Sequence, residues 1–191
     1  MRKIKGLLSQ LYWLFQNLWR VRAIRVIETY QDPQTGFRYQ GLTTEYFQDF
    51  ERLKKELSQN RELSRVQKLL YQYASNKLVL VVIDPQQNQL IGLNMFYFNK
   101  RDLLENSVHA GFIGVNSQYQ GQKIASTMRE RIKHHFMQNG LKGISSRISL
   151  NNEGSLRSAL KVGFKPVEKY YDNALGEERY YLVCDLENEI D

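Results

Sequence analysis

The stretch of this 191-residue chain with most to offer chemically is Val115-Asn116-Ser117-Gln118-Tyr119-Gln120-Gly121-Gln122-Lys123-Ile124-Ala125. Its pattern is a strand end, a short loop and a helix start. The first N–H groups of a helix lack intrahelical acceptors, and the macrodipole is positive there. Such an end holds a phosphate with backbone alone. A second stretch, Asn152-Glu153-Gly154-Ser155-Leu156-Arg157-Ser158-Ala159-Leu160-Lys161-Val162-Gly163-Phe164, opens a short helix and closes it on a glycine. Other reactive types are few. Cys184 lies in the alternating run YYLVCDL and reads as a small core residue. His134 and His135 are adjacent on a helical pattern, face different ways and make a poor metal pair. With three His and one Cys in the chain, no metal site is expected.

The first stretch resembles the acetyl-CoA signature of the GNAT N-acetyltransferase superfamily, Gln/Arg-x-x-Gly-x-Gly/Ala after a strand ending in Val. Gln120 and Ala125 take its first and last positions, and Lys123 stands where the middle glycine is usual. That departure requires the backbone at Lys123 to keep a helical conformation with its side chain outward. The second stretch resembles the family's later block, Asn-x-x-Ser/Ala-hydrophobic followed by Lys-x-Gly-Phe, without a gap. The resemblance covers roughly residues 22–186.

It implies an acetyl-CoA-dependent transferase in which a neutral amine attacks the thioester directly. The backbone of Gly121, Gln122, Lys123, Ile124, Ala125 and Ser126, following Gln120, would hold the pyrophosphate. A backbone N–H near Ile113, Gly114 and Val115 would polarise the thioester carbonyl. The Asn152 side chain would bond the cofactor, with Ser155 beside it. Many members use a Tyr to protonate the leaving thiolate; here that position is Ala159, with room expected for a phenol, and Tyr170 or Tyr171 is the substitute. For the base, His109 is the first candidate, since the family often places one on this strand and His109 shares the alternation of Ile113 and Val115. A satisfied structural His is the competing reading. Glu105 is second and a water chain third. The acceptor is expected to be a small-molecule primary amine or amino sugar. A protein α-amine is the alternative, and a CoA-binding module without catalysis is another, motivated by Lys123 and Ala159.

These groups need a scaffold. Residues 22–31 alternate like a strand, 32–36 turn, and 37–41 form a hairpin partner. Helical patterns follow over 45–57 and 61–74, then strands over 77–84, 89–99 and 107–116. A helix over 121–140, a strand over 143–150, a helix over 154–164 and strands near 166–173 and 178–186 complete the order. This is α+β, a mostly antiparallel central sheet splayed at the cofactor site, with helices on both faces. Tyr-rich stretches at 70–73, 170–171 and 180–181 read as packing or as walls of an acceptor cleft.

Apolar residues at 42% and charged residues at 25% make the chain an ordinary globular one. A single cysteine excludes an internal disulfide and fits a cytoplasmic protein. The net charge is +7, but Arg2, Lys3, Lys5, Arg20, Arg22 and Arg25 supply six of these, with no acid before residue 28. The body is nearly neutral, so no nucleic-acid partner is expected. The expected division is a basic amphipathic helix over 1–21 and a GNAT domain over 22–191. In the helix, Ile4, Leu7, Leu8, Leu11, Leu14, Phe15 and Leu18 form an apolar stripe, and Trp13 projects away from it. It is too short and polar to span a bilayer and lacks a signal-peptide cleavage site. The stripe is expected to be covered by its own domain or by a second subunit in a homodimer. Peripheral membrane contact through residues 1–20 is the alternative.

Overall fold

The computed structural model describes residues 2–187, with side chains from residue 6 onward. The side chains of Arg2, Lys3, Ile4 and Lys5 therefore lie outside what is described.

The chain begins with α1 (Arg2–Val21) and reaches β1 (Tyr30–Gln31) and β2 (Arg38–Gly41). Two helices follow, α2 (Phe47–Leu57) and α3 (Arg65–Leu78), then the hairpin β3 (Val79–Asp84) and β4 (Gln89–Tyr97). The short α4 (Lys100–Leu104) leads into β5 (Ser107–Val115), α5 (Ile124–Gln138), β6 (Gly143–Ser149) and α6 (Glu153–Lys161). A second hairpin, β7 (Lys165–Asp172) and β8 (Glu177–Asp185), closes the fold. One eight-stranded sheet runs in the order β1-β2-β3-β4-β5-β6-β8-β7. Every pairing is antiparallel except β5 with β6.

The expected α+β architecture is present, with three local differences. Residues 22–29 are not a strand: Val21, Ile24 and Ile27 enter the core at every third position while Val26 is exposed, and the Ile27 N–H donates to the Asn76 carbonyl of α3. A strand would bury every second residue, so the apolar pattern here belongs to an irregular segment that follows the core without a partner strand. The expected helix over 61–74 starts at Arg65, where Ser64 and Gln67 form a capping box, and runs to Leu78. The unforeseen α4 is a single turn held by reciprocal capping between Asn99 and Asp102.

The central strands are buried on both faces, so β3 reads as an unbroken apolar run. α5 covers one face: Ile124 lies against Gly92, and Phe136 makes an edge contact with Phe96 at 5.0 Å. α2 covers the other, with Leu57 over Gly114. α1 packs along α3 on the α2 side, where Trp13 meets the Tyr97 ring at 5.7 Å.

Candidate active site

Parallel pairing of β5 with β6 lasts four rungs, from Ser107↔Gly143 to Ala110↔Ser146. Beyond Ala110 the strands part, because β5 carries an extra residue there. Met95 pairs with Phe112 and Phe96 with Ala110, leaving Gly111 as a bulge. A side chain at Gly111 would collide with Tyr97, whose Cε1 would lie 2.5 Å from the Cβ. The glycine is what lets that ring lie across the bulge.

Past the bulge, the β4 ladder fixes which backbone groups are free. Asn116 N–H donates to the Ile91 carbonyl, and Gly114 is opposite Leu93. Antiparallel alternation then turns the N–H groups of Ile113 and Val115 away from β4, towards the gap. The gap opens into a cavity of about 530 Å3. Its walls include Ile113, Gly114, Val115, Gln120, Gly121, Lys123, Ile124, Ala125, Ser126, Asn152 and Ser155. Of the residues expected to hold the cofactor, only Gln122 is not on a wall.

Two residues of the loop before α5 are left-handed, Gly121 at φ 81° and Lys123 at φ 62°, ψ 7°. Lys123 does not keep the helical conformation that the sequence reading required. The position calls for positive φ, which explains why a glycine suits it, and a lysine pays backbone strain there. At the facing helix, Asn152 accepts from the Ser155 N–H at 3.1 Å, so its side-chain oxygen caps α6 and its amide NH2 is left to donate.

One wall residue went unnoticed in the sequence. Arg129 is 3% exposed, yet makes no ion pair among the described residues. Its Nε donates to Ser158 Oγ at 3.3 Å and its Nη2 to Ser155 Oγ at 3.2 Å. Its guanidinium lies over the Phe164 ring at 5.4 Å. Burial pulls its pKa down to about 10, so it is still cationic at neutral pH. The legible signal is spacing: Arg129 falls one helical turn after Ala125, on the phosphate-loop side of α5. A buried cation without an acid, on the wall of a cavity rimmed by free N–H groups, fits a polyanionic cofactor.

A second cleft of about 760 Å3 adjoins the first and shares Ile113, Asn152 and Ser155 with it. It is walled by the α2–α3 loop, by Tyr97 and Phe112, by β6 and by the β7–β8 hairpin. Glu62, Glu177, Lys54, Arg61, Arg147 and Arg179 all line it. Ser149 Oγ donates to Glu177 at 2.7 Å, while Arg147 makes no ion pair among the described residues.

The two residues expected as bases lie on neither wall. The Gly111 bulge reverses the alternation assumed for His109. It pairs with Tyr97 and faces the α2 side, whereas Ile113 and Val115 face α5. His109 is 3% exposed, its ring 5.0 Å from that of Tyr97. Its Nδ1 is 2.6 Å from Ser145 Oγ, which donates in turn to Asp102 Oδ1 at 2.6 Å. That chain assigns the proton to Nδ1. Burial, with Arg147 and Arg179 nearby, depresses the imidazole pKa to about 3. Glu105 is at the closed end of β5, paired with Arg101 at 2.9 Å. Ala159 is fully buried and walls neither cavity, so the room expected for a phenol is not there. Tyr170 and Tyr171 also lie off both walls. Among the described residues no cluster could hold a metal ion.

Comparison with known proteins bears on the family and the fold. Residues 38–164 match the model of the acetyltransferase (GNAT) family. No curated protein sequence matches significantly. Solved structures align over most of their length. The NatC complex bound to Gag peptide and CoA matches at a TM-score of 0.66 and 17% identity, covering 78% of this chain and 98% of that one. The ribosomal-protein-S5-alanine acetyltransferase from Vibrio fischeri gives 0.66 at 15% identity, covering 84% and 98%. A spermidine N-acetyltransferase chimera from Vibrio cholerae and hSSAT gives 0.61 at 18% identity, covering 80% and 99%. At these identities the likeness is one of fold.

Proposed function

As a chain that belongs to the acetyltransferase (GNAT) family, this protein uses acetyl-CoA, and we propose that it acetylates a primary amine of a small polar molecule such as an amino sugar. The observation that carries this reading is the junction of the two cavities at the β5–β6 gap, one rimmed by free N–H groups and Arg129, the other by charges of both signs.

Bound acetyl-CoA supplies an acetyl group activated as a thioester. The chain's own residues then have separate tasks. The N–H groups at the start of α5, with the left-handed turn at Gly121 and Lys123, bind the pyrophosphate. Arg129 would add a fixed positive charge to the same cavity. The Asn152 amide NH2 would donate to the cofactor. The Ile113 and Val115 N–H groups, turned into the gap, would donate to the thioester carbonyl and so favour attack on it.

The second cleft receives the acceptor. Its carboxylates, Glu62 and Glu177, attract a protonated amine and take its proton, directly or through water. Arg147 remains to donate to oxygens of the acceptor. His109 acts as a positioning residue: as a neutral ring bonded to Ser145, it holds the last paired rung but one before the gap and backs the Tyr97 ring.

The test is acetyl transfer to a panel of amino sugars, small amines and short peptides, followed by thiol release, alongside thermal shift with acetyl-CoA. Acetyl-CoA is expected to raise the melting temperature, as a native-state ligand does. Thiol release is expected with the small amines. Transfer only to peptide α-amines would replace the acceptor assignment, and no thermal shift at millimolar acetyl-CoA would overturn the cofactor site.

A further inference from the structure

Helix α1 has two apolar sides, and the fold uses one of them. Trp13, Leu14 and Leu18 pack against the core, and Asn17 and Val21 are fully buried. Asn17 reads the Phe98 backbone with both ends of its amide, accepting from its N–H at 2.7 Å and donating to its carbonyl at 2.8 Å. Packing thus selects the side bearing Trp13. The expected stripe is divided, with Leu14 and Leu18 against the body and Leu7, Leu8, Leu11 and Phe15 in solvent.

Leu8, Tyr12, Phe15 and Trp19 recur at helical spacing along the open side and are 60%, 64%, 66% and 64% exposed. Leu7 and Leu11 widen the line. A groove of about 360 Å3 runs beside it, between Tyr12, Phe15, Trp19 and Leu103. Soluble monomers rarely leave so continuous an apolar surface bare.

Charge selects what covers it. The segment to residue 25 carries six basic residues and no acid. A self-complementary dimer through this face would bring two such segments together, like charge against like. An anionic lipid surface has the opposite sign. Trp19 also shares a shallow groove with Arg20 and Arg22, and aromatic rings beside basic residues suit the headgroup level of a bilayer. No helix among the described residues is long and apolar enough to cross a membrane, so the geometry of contact is a helix lying in the interface plane. We propose that α1 docks this protein onto an anionic bilayer surface, with the Leu8–Tyr12–Phe15–Trp19 line in the acyl boundary and the basic residues at lipid phosphates.

The test uses the full chain with two kinds of vesicle, phosphatidylcholine alone and phosphatidylcholine mixed with phosphatidylglycerol. The chain co-sediments with the mixed vesicles only, and added salt weakens this. Phe15→Ser combined with Trp19→Ser, both at exposed positions, lowers partitioning by about tenfold or more and leaves the melting temperature and the acetyl-CoA thermal shift unchanged. Arg22→Gln combined with Arg25→Gln lowers it less and reduces the salt dependence. Equal binding to neutral vesicles, or none to either kind by the folded chain, overturns the proposal. So does a dimer in sedimentation equilibrium that the Phe15 and Trp19 changes dissociate, since the face would then belong to a second copy.

Discussion

Two charges are buried on either side of the point where β5 leaves β6, and they are handled alike up to a point. Asp102 is at the closed end and fully buried, and Arg129 at the open end is 3% exposed. Neither makes an ion pair among the described residues; hydroxyls solvate both, Ser107 and Ser145 for the acid, Ser155 and Ser158 for the base. Burial pushes the Asp102 pKa up and the Arg129 pKa down, each towards the neutral form. The difference is in what remains unspent. Asp102 is enclosed, with one oxygen on the two hydroxyls and the other on the Asn99 N–H, so its bonding is complete inside the protein. Arg129 lies on a cavity wall, where the proposed function has the cofactor complete its bonding. The same chemistry is enclosed where the sheet is closed and open to a cavity where the strands part.

The largest expected effect comes from removing the open-end charge. Arg129→Met should weaken acetyl-CoA binding roughly ten- to a hundredfold, the value of a charged hydrogen bond of about 1.5–3 kcal/mol. The unliganded fold should lose little, because an apolar chain of similar volume avoids burying an unpaired cation. Calorimetric titration gives the first quantity and unliganded thermal melts the second. An unchanged affinity, or a collapse of the unliganded protein, would make Arg129 a structural charge like Asp102 and end the contrast.

The closed end is probed by pH. In the folded state His109 stays neutral down to about pH 3, whereas an unfolded histidine titrates near 6.5. A depressed folded pKa means that the unfolded chain takes up the proton first. His109 therefore contributes its full share of stability above about pH 6.5, and that share falls as pH drops from 6.5 towards 3. His135, pushed down to about 4 by burial, acts in the same direction. His109→Gln should flatten the fall in stability over this window without abolishing it, as denaturant titrations at stepped pH would show. As a positioning residue, His109 should cost less than about tenfold in kcat. A loss of on the order of a hundredfold, with a shifted pH profile and intact acetyl-CoA affinity, would restore it as the base.

The sequence made the order of elements along the chain and the loop entering α5 legible, because each is written in local pattern: a strand end, a turn, a helix start. His109 was misread because strand alternation holds only while the ladder is regular, and the Gly111 bulge reverses it on one strand. Nothing in SVHAGFIGVN marks which glycine is bulged; Tyr97, contributed by another strand, decides. Arg129 was passed over because a charge on a helix is ordinarily solvated, and its burial depends on α6 and Phe164, distant in sequence. The open side of α1 had the opposite difficulty. The stripe was visible, but which part packs was settled by Asn17 reading the Phe98 backbone, a contact across 81 residues.

The smallest effect sharpens the contrast at Lys123. The open half of β5 is followed by a loop that must turn its N–H groups into the cavity, and at Lys123 it does so with φ 62° in a non-glycine residue. Left-handed backbone costs such a residue about 1–2 kcal/mol, while glycine loses about 0.5–1 kcal/mol through the freedom of the unfolded chain. Lys123→Gly should therefore stabilise the unliganded protein by roughly 0.5–1 kcal/mol, or about 1–4 °C in Tm at this size. Lys123→Ala keeps the strain and removes the same charge, so it separates the two contributions. If the lysine cation also helps to hold the pyrophosphate, both variants should weaken acetyl-CoA binding equally while only the glycine variant gains stability. Should Ala stabilise as much as Gly, the gain would come from relief of charge repulsion with Arg129 on the same cavity wall, and the left-handed turn would be at ease with its lysine.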